Sequence, residues 1–356
     1  VREAHERAGG QAEGSLGIAR VQLEMDPALH LPRRDAEILL ICQGGARSLL
    51  AAQALDAAGY RNLSSVVGGT SRWLAEGLPV VKPVLDADEA DFNDRYSRHL
   101  RLPEVGLEGQ RKLEASRVVM IGAGGLGSPA AFYLAAAGIG HLRIADDDVV
   151  DRSNLQRQVL HTDARIGEPK VASAKLTLNA LNPRTRIEAV MERVTAANVE
   201  RLLEGVDVVV DGADNFPARY LLNDACVKLA KPLVYGAVQR FEGQVSVFDA
   251  GRQRGNAPCY RCLFPEPPAP EFAPNCAEAG VLGVLPGVIG LLQATEVIKL
   301  LLGMGEPLVG RLLHFDALAM RFREMRLRPD PSCAVCAPDV PFPGYIDYQD
   351  FCGLGA

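Results

Sequence analysis

The chain has 356 residues, 48% of them hydrophobic and 23% charged, with a net charge of −6 and eight cysteines. That composition describes a globular protein of two domains, excludes a disordered or collagenous chain, and argues against nucleic acid as the main partner. The most apolar run, 281–302, is broken by glycines, Pro286, Gln293, Glu296 and Lys299, so nothing reaches the roughly 18 uninterrupted apolar residues of a membrane span. It reads as a buried helix beginning near Gly287. No secretory signal is visible, and the expectation is a cytoplasmic protein with no membrane partner.

Residues 1–82 read as a small α/β unit. An apolar strand, 37–41, runs into Cys42-Gln-Gly-Gly45-Ala-Arg47-Ser48, and 48–58 reads as a helix. A cysteine at a strand end, ahead of a glycine loop that opens a helix, sits among converging N–H groups. Such a field favours a thiolate and can hold an anion or a persulfide. With Val1-Arg2-Glu3-x-x-Glu6 before it and Gly68-Gly69-x-x-x-Trp73 after it, the segment resembles the rhodanese family. The resemblance makes Cys42 a catalytic persulfide carrier and Arg47 part of its loop, while Trp73 reads as core. In that family a strand leads into the Val-Arg-Glu motif, so about 15–20 further residues of the domain are expected ahead of Val1.

Residues 83–93 carry prolines and acids and read as a linker, with 94–356 as the second domain. A basic segment, Asp94-Arg-Tyr-Ser-Arg98-His-Leu-Arg101, comes first. Arg117–Ile121 then reads as a buried strand, followed by Gly122-x-Gly124-x-x-Gly127 and a helix over 128–137 stopped by Gly138. These glycines permit a sharp turn and bring a phosphate close to the N–H groups of a helix N-terminus. Nineteen residues past Gly127, at the end of the strand His141–Ala145, Asp146 is placed to bind a ribose. On this motif alone an NAD-dependent oxidoreductase is the first reading.

Apolar runs at 206–210 and 233–235 alternate with a helix at 217–230, which predicts a mainly parallel sheet covered by helices. Segments 244–248 and 320–327 read as later, antiparallel strands. What turns the reading away from hydride transfer is charge. Asp151-Arg-Ser153-Asn154-Leu-Gln156-Arg157-Gln158 follows Asp146, Lys170 opens the next helix, and Asp214 ends a parallel strand. Several cations beside the phosphates suit attack on the α-phosphate of ATP, where charge develops on phosphoryl oxygens. Asp214 is a candidate Mg²⁺ ligand.

From Arg95 onward the motifs RYSRH, GAGGLG, SNLQRQ, GEPK, DGADN, EGQ, PCYRC, CAEAGVLG and CAVC resemble the MoeB/ThiF family of ubiquitin-activating-type adenylyltransferases. The resemblance implies a Rossmann-like ATP-binding fold, with Gly125, Asp146, Ser153, Asn154, Leu155, Gln156, Arg157 and Lys170 contacting ATP. It implies Mg²⁺ on Asp214, Asn215 beside the nucleotide, and a homodimer in which Arg98 reaches the opposite active site. Relatives often carry an aromatic or aliphatic residue where this chain has Asp147.

Cys259/Cys262 and Cys333/Cys336 are two C-x-x-C pairs 70 residues apart. Four thiolates so paired predict a closed, tetrahedral, structural Zn²⁺ site that clips a loop to the C-terminal tail. Cys276, in a proline-rich loop, is a candidate second nucleophile. Cys226 reads as helix core and Cys352 as a tail thiol. Together these features point to ATP-dependent adenylation of the C-terminal glycine of a ubiquitin-like sulfur carrier, MoaD-like and serving molybdopterin synthesis. Sulfur would pass from a persulfide donor such as a cysteine desulfurase through Cys42. A ThiS-like carrier of the thiamin pathway is the alternative substrate.

Overall fold

The computed structural model describes residues 1–7, 9–82, 87–267 and 280–346. The chain divides into two compact units, Val1–Gly106 and Leu107–Ala356.

In the first unit, short elements α1 (Ala4–Arg7), β1 (Gln11–Ala12), α2 (Arg20–Met25) and α3 (Pro27–His30) lead to β2 (Ile38–Leu40). Helix α4 (Ala46–Ala57) crosses over to β3 (Leu63–Ser65), which pairs parallel with β2. Leu23, Ile38, Leu40, Ala51, Leu55 and Tyr60 form the core between them. Helix α4 begins two residues before the expected Ser48, because Gly45 takes a left-handed φ of 103° and turns the chain directly into it. After α5 (Gly69–Ala75), β4 (Val80–Val81) pairs with β1. Trp73, expected in the core, is half-buried, and its indole N–H donates to the Pro79 carbonyl at 2.8 Å. Of the stretch read as a linker, 83–86 lie outside the described residues, and Ala87–Arg95 forms α6. Asp88 and Glu89 occupy its first turn, where negative charge is favoured by the helix dipole.

The second unit is built on one sheet, eight strands among the described residues. Its parallel part comprises β5 (Arg117–Ile121), β6 (His141–Ala145), β7 (Arg186–Val190), β8 (Val208–Asp211) and β9 (Leu233–Gln239). Strands β10 (Glu242–Phe248), β11 (Arg311–Asp316) and β12 (Arg321–Arg326) extend it antiparallel, giving the order β12-β11-β10-β9-β8-β5-β6-β7. Because side chains alternate along a strand, Val118 and Met120 of β5 enter one core and Val119 and Ile121 the other. Both faces are therefore covered by helices. On one lie α8 (Gly127–Ala137), α9 (Lys170–Leu181) and the long helix Val284–Leu302; on the other lie α10 (Val199–Leu202), α11 (Phe216–Lys228) and α12 (Tyr260–Leu263). Helix α7 (Gly106–Ala115) precedes β5.

Helix α13, Val284–Leu302, starts three residues earlier than expected, with Pro286 inside its first turn. First-turn N–H groups have no helical partner, so proline costs little there. By length and apolarity alone α13 passes for a membrane-crossing helix, yet its polar residues serve the fold. Buried Gln293 donates to the carbonyls of Asp211 (2.7 Å) and Val234 (3.1 Å), and Glu296 accepts from Leu308 N–H at 2.7 Å. It is a core helix packed on α8 and the sheet.

Candidate functional site

Strand order reverses between β5 and β8, and crevices of this kind at the carboxyl ends of parallel strands are where ligands bind. Gly122 follows β5 with a φ of 100°. A side chain there would press on the Gly212 carbonyl 2.5 Å away, and one on Gly127 would overlap the carbonyl oxygen of Gly122. These two glycines make the turn possible. Gly124 and Gly125 instead face the cavity, together with Gly122.

Asp146 leaves β6 and braces the turn. One carboxylate oxygen accepts Ala123 N–H at 2.7 Å and the other accepts Asp148 N–H at 2.8 Å. Burial pushes its carboxyl above the usual range, against the pull of Lys170 and the two N–H groups. Lys170, itself buried, pairs with Asp148 at 2.7 Å. The additional carboxylate of Asp147 pairs with Arg193 at 3.0 Å, and both residues line the same cavity as Asp146 and Lys170.

Asp151 caps the short turn Arg152–Asn154 by accepting Ser153 N–H at 2.7 Å. Asn154 Oδ1 in turn accepts from the Arg157 guanidinium at 2.6 Å, aiming Arg157 at the cavity. Past β8, Asn215 caps α11 by accepting Ala218 N–H at 3.0 Å, and its amide donates to Asp214 at 3.3 Å.

A cavity of about 790 Å³ gathers Gly122, Gly124, Gly125, Asp146, Arg157, Lys170, Asp214 and Asn215. The other expected ATP contacts, Gly127, Ser153, Asn154, Leu155 and Gln156, are not among the residues that line it. Asp214 is exposed to the cavity as an oxygen ligand, which suits Mg²⁺. Arg98 belongs to the first unit, is exposed, and donates to Ser97 Oγ at 3.3 Å. Cys276 and Cys352 lie outside the described residues.

Three supporting residues escaped the sequence reading. Asp211 is fully buried, and burial pushes its carboxyl up to about 6 although the Arg219 guanidinium lies 3.5 Å away. Asp211 in turn holds Arg219 firmly charged, against its own burial. Arg219 donates to the Ala213 (2.9 Å) and Gly236 (3.2 Å) carbonyls, tying the Asp214 turn to β9. His161 bridges Ala123 O and Ser173 Oγ, each at 3.0 Å, behind the glycine turn. The one available signal was an acid ending an otherwise apolar strand.

In the first unit Cys42 is buried, with Sγ accepting from Gly45 N–H at 3.0 Å and from Ser48 Oγ at 3.4 Å. Burial raises its pKa, but hydrogen bonds from Ser48, Gly45 and Gly44 outweigh that and bring it down to about 7. Arg47 does not point at the sulfur; it makes a two-pronged pair with Glu6, at 2.7 and 2.6 Å. Thr70 N–H and Ser71 N–H, opening α5, hold the carbonyls of Cys42 (2.8 Å) and Gln43 (3.0 Å). Gly69 has no room for a side chain against those carbonyls.

The sulfurs of Cys259, Cys262, Cys333 and Cys336 all lie within 4.8 Å of one another. Neighbouring pairs are 3.6, 4.0 and 3.4 Å apart. A tetrahedral thiolate site with Zn–S bonds of about 2.3 Å requires sulfurs about 3.8 Å apart, so the set fits zinc. Cys226 is buried in α11, its thiol pushed up by burial.

A glycine turn, a ribose-side aspartate and converging cations at a sheet's reversal point define a nucleotide-binding Rossmann-type domain. Comparison with known proteins agrees. The model of the ThiF family matches residues 96–335, and that of the rhodanese-like domain matches residues 1–76. The chain belongs to the ThiF family and carries a rhodanese-like domain at its N-terminal end. It is an adenylyltransferase in class. It is 52% identical over 262 residues to the sulfur carrier protein adenylyltransferase of Thermus thermophilus, covering 73% of this chain and 97% of that one. It is also 52% identical over 271 residues to the SAMP-activating enzyme E1 of Haloferax volcanii, covering 76% and 97%. With the adenylyltransferase and sulfurtransferase MOCS3 of Drosophila sechellia it shares 49% over 263 residues, 74% of this chain but 57% of that one. The crystal structure of E. coli MccB with ATP superposes with a TM-score of 0.59 at 22% identity, over 74% of this chain and 79% of that one. That likeness is one of fold.

Proposed function

We propose that the protein uses ATP to adenylate the C-terminal glycine of a ubiquitin-like, MoaD-type sulfur carrier, and then supplies sulfur to it from Cys42. The observation that carries this reading is the convergence of Asp146, Arg157, Lys170 and Asp214 on one cavity, in a chain that also holds an activated cysteine loop. The carrier carboxylate attacks the α-phosphorus, the bond to pyrophosphate breaks, and an acyl-adenylate forms. Arg157 and Lys170 neutralise charge growing on the phosphoryl oxygens, and Asp146 anchors the ribose. Asp214 would hold Mg²⁺, which supplies further charge neutralisation when bound.

The terminal sulfur of a Cys42 persulfide, loaded by a donor such as a cysteine desulfurase, then attacks the acyl carbon and AMP leaves. A thiol, Cys276 in this reading, attacks Cys42 Sγ in the resulting acyl disulfide. It releases the carrier thiocarboxylate and leaves a cysteine–cysteine disulfide for an external thiol to reduce. Residues 1–82 would be the sulfur domain, 83–93 the linker and 94–356 the adenylating domain; one chain keeps the local concentration of persulfide high. Zn²⁺ on the four cysteines would be structural.

The test is carrier-dependent ATP–pyrophosphate exchange, run with MoaD-like and ThiS-like carriers captured by the enzyme. Exchange that depends on the MoaD-like carrier is expected. Exchange with only a ThiS-like carrier moves the pathway; none with any carrier, together with NAD binding, defeats the reading.

A further inference from the structure

Beyond the fourth cysteine, residues 338–346 run back along α11. The Phe342 and Tyr345 rings meet edge to face with centroids 5.0 Å apart. The Lys228 ammonium lies 5.0 Å from the first centroid and 5.1 Å from the second. Its Nζ pairs with Glu200 at 2.6 Å, and the Tyr345 hydroxyl donates to the same carboxylate oxygen at 2.9 Å. Two rings, one cation and one carboxylate thus latch the tail to α10 and α11 at once. Lys228, Asp224 and Leu221 are spaced to lie on one face of α11. Tyr345 packs on the core cluster that includes Leu221, and the next residue, Ile346, joins Leu221 in lining the nucleotide cavity.

Strand order tells which part of the cavity this is. Strand β7 flanks β6, and Asp146 N–H donates to the Val190 carbonyl at 3.2 Å. The segment after β7, through Thr195 and Ala196, therefore lies beyond Asp146 from the glycine turn. A nucleotide with phosphates at that turn and ribose at Asp146 projects its base to this side. Glu200, which Tyr345 grips, is four residues past Ala196.

We infer that Ile346, held in place by Tyr345, Phe342 and Lys228, is a wall for the nucleotide base; this rests on the ATP reading above. The tail after the cysteine cluster is then part of the binding site, and its latch sets how tightly the base is held. Binding of ATP and of inorganic tripolyphosphate to the full chain, measured by calorimetry, separates the possibilities. Ile346→Ala should weaken ATP roughly five- to tenfold, the effect of removing a few apolar carbons from a contact, and leave tripolyphosphate unchanged. Lys228→Ala, outside the cavity, should weaken ATP about two- to fourfold with the same selectivity. Unchanged ATP affinity in Ile346→Ala overturns the inference, as does an equal loss for both ligands, which would signal general damage. A parent protein that binds no ATP would instead overturn the adenylation reading itself, and the wall with it.

Discussion

Cys42 is a buried thiol whose protonation is governed by three hydrogen-bond donors from the next six residues, set against the cost of burying its charge. With its pKa at about 7, half of it is thiolate at neutral pH, whereas an ordinary cysteine reaches that point near 8.5. Raising the pH through 7 should therefore increase the thiolate fraction, which then levels off. A difference titration of thiolate ultraviolet absorbance between the parent and Cys42→Ser should show the midpoint at about 7, and Ser48→Ala should move it upward. A midpoint in the ordinary cysteine range would mean the loop does not activate the sulfur. Cys42 and Asp146 were legible in the sequence because each follows an apolar run that becomes a strand; Lys170 stood out as the cation that opens a helix, and Asp214 as the second acid past the apolar run of β8. Asp211 and Arg219 did not stand out. Their pairing depends on a helical turn folding back over the strand end, and Arg219 has no local pattern that marks it.

At the scale of elements, the two C-x-x-C pairs close a clip around the end of α11. Cys259 precedes α12, whose Tyr260 packs among Tyr220, Tyr235 and Phe248. Cys333 and Cys336 belong to a small cluster with Val227 of α11. Four sulfurs at these separations without a metal would be crowded polar groups in an apolar setting, so metal loss should be felt as stability. One zinc per chain is the expected content. Chelation, or Cys262→Ser, should lower Tm by roughly 10 °C or more, while protein still folded retains pyrophosphate exchange, because a closed four-thiolate site offers no position to substrate. Carefully prepared protein with no zinc and an unaltered Tm would refute the clip. The starts of α4 and α13, which sequence placed too late, share one cause. Gly45, read as loop, and Pro286, read as a break, each sit at a helix start, where left-handed backbone or a missing N–H costs little.

For the whole molecule, the proposal that active sites are shared in a homodimer turns on Arg98. Arg98→Ala and Asp214→Ala should each abolish exchange alone. In a mixed dimer one site carries both defects, while the other combines an intact Asp214 with an intact Arg98 from its partner. Random reassortment should restore roughly a quarter of parental sites in closed two-fold dimers. If subunits exchange and no activity returns, Arg98 acts within its own chain or not at all. The sequence by itself determined β2, β5, β6, β8, β9, β10 and β12, the glycine turn, the charged motifs and the cysteine pairs, because each is written within a dozen residues in hydrophobic period, turn chemistry or ligand spacing; β1, β3, β4, β7 and β11 emerged only with the fold. Only the tertiary structure decided that Arg157 is aimed by Asn154, that Arg47 serves Glu6, and that Ile346 walls a cavity whose glycine turn lies more than two hundred residues earlier in the chain. Tyr345 finds Glu200 across 145 residues. Contacts of that span arise from how helices pack on a sheet, and no local pattern of residues encodes them.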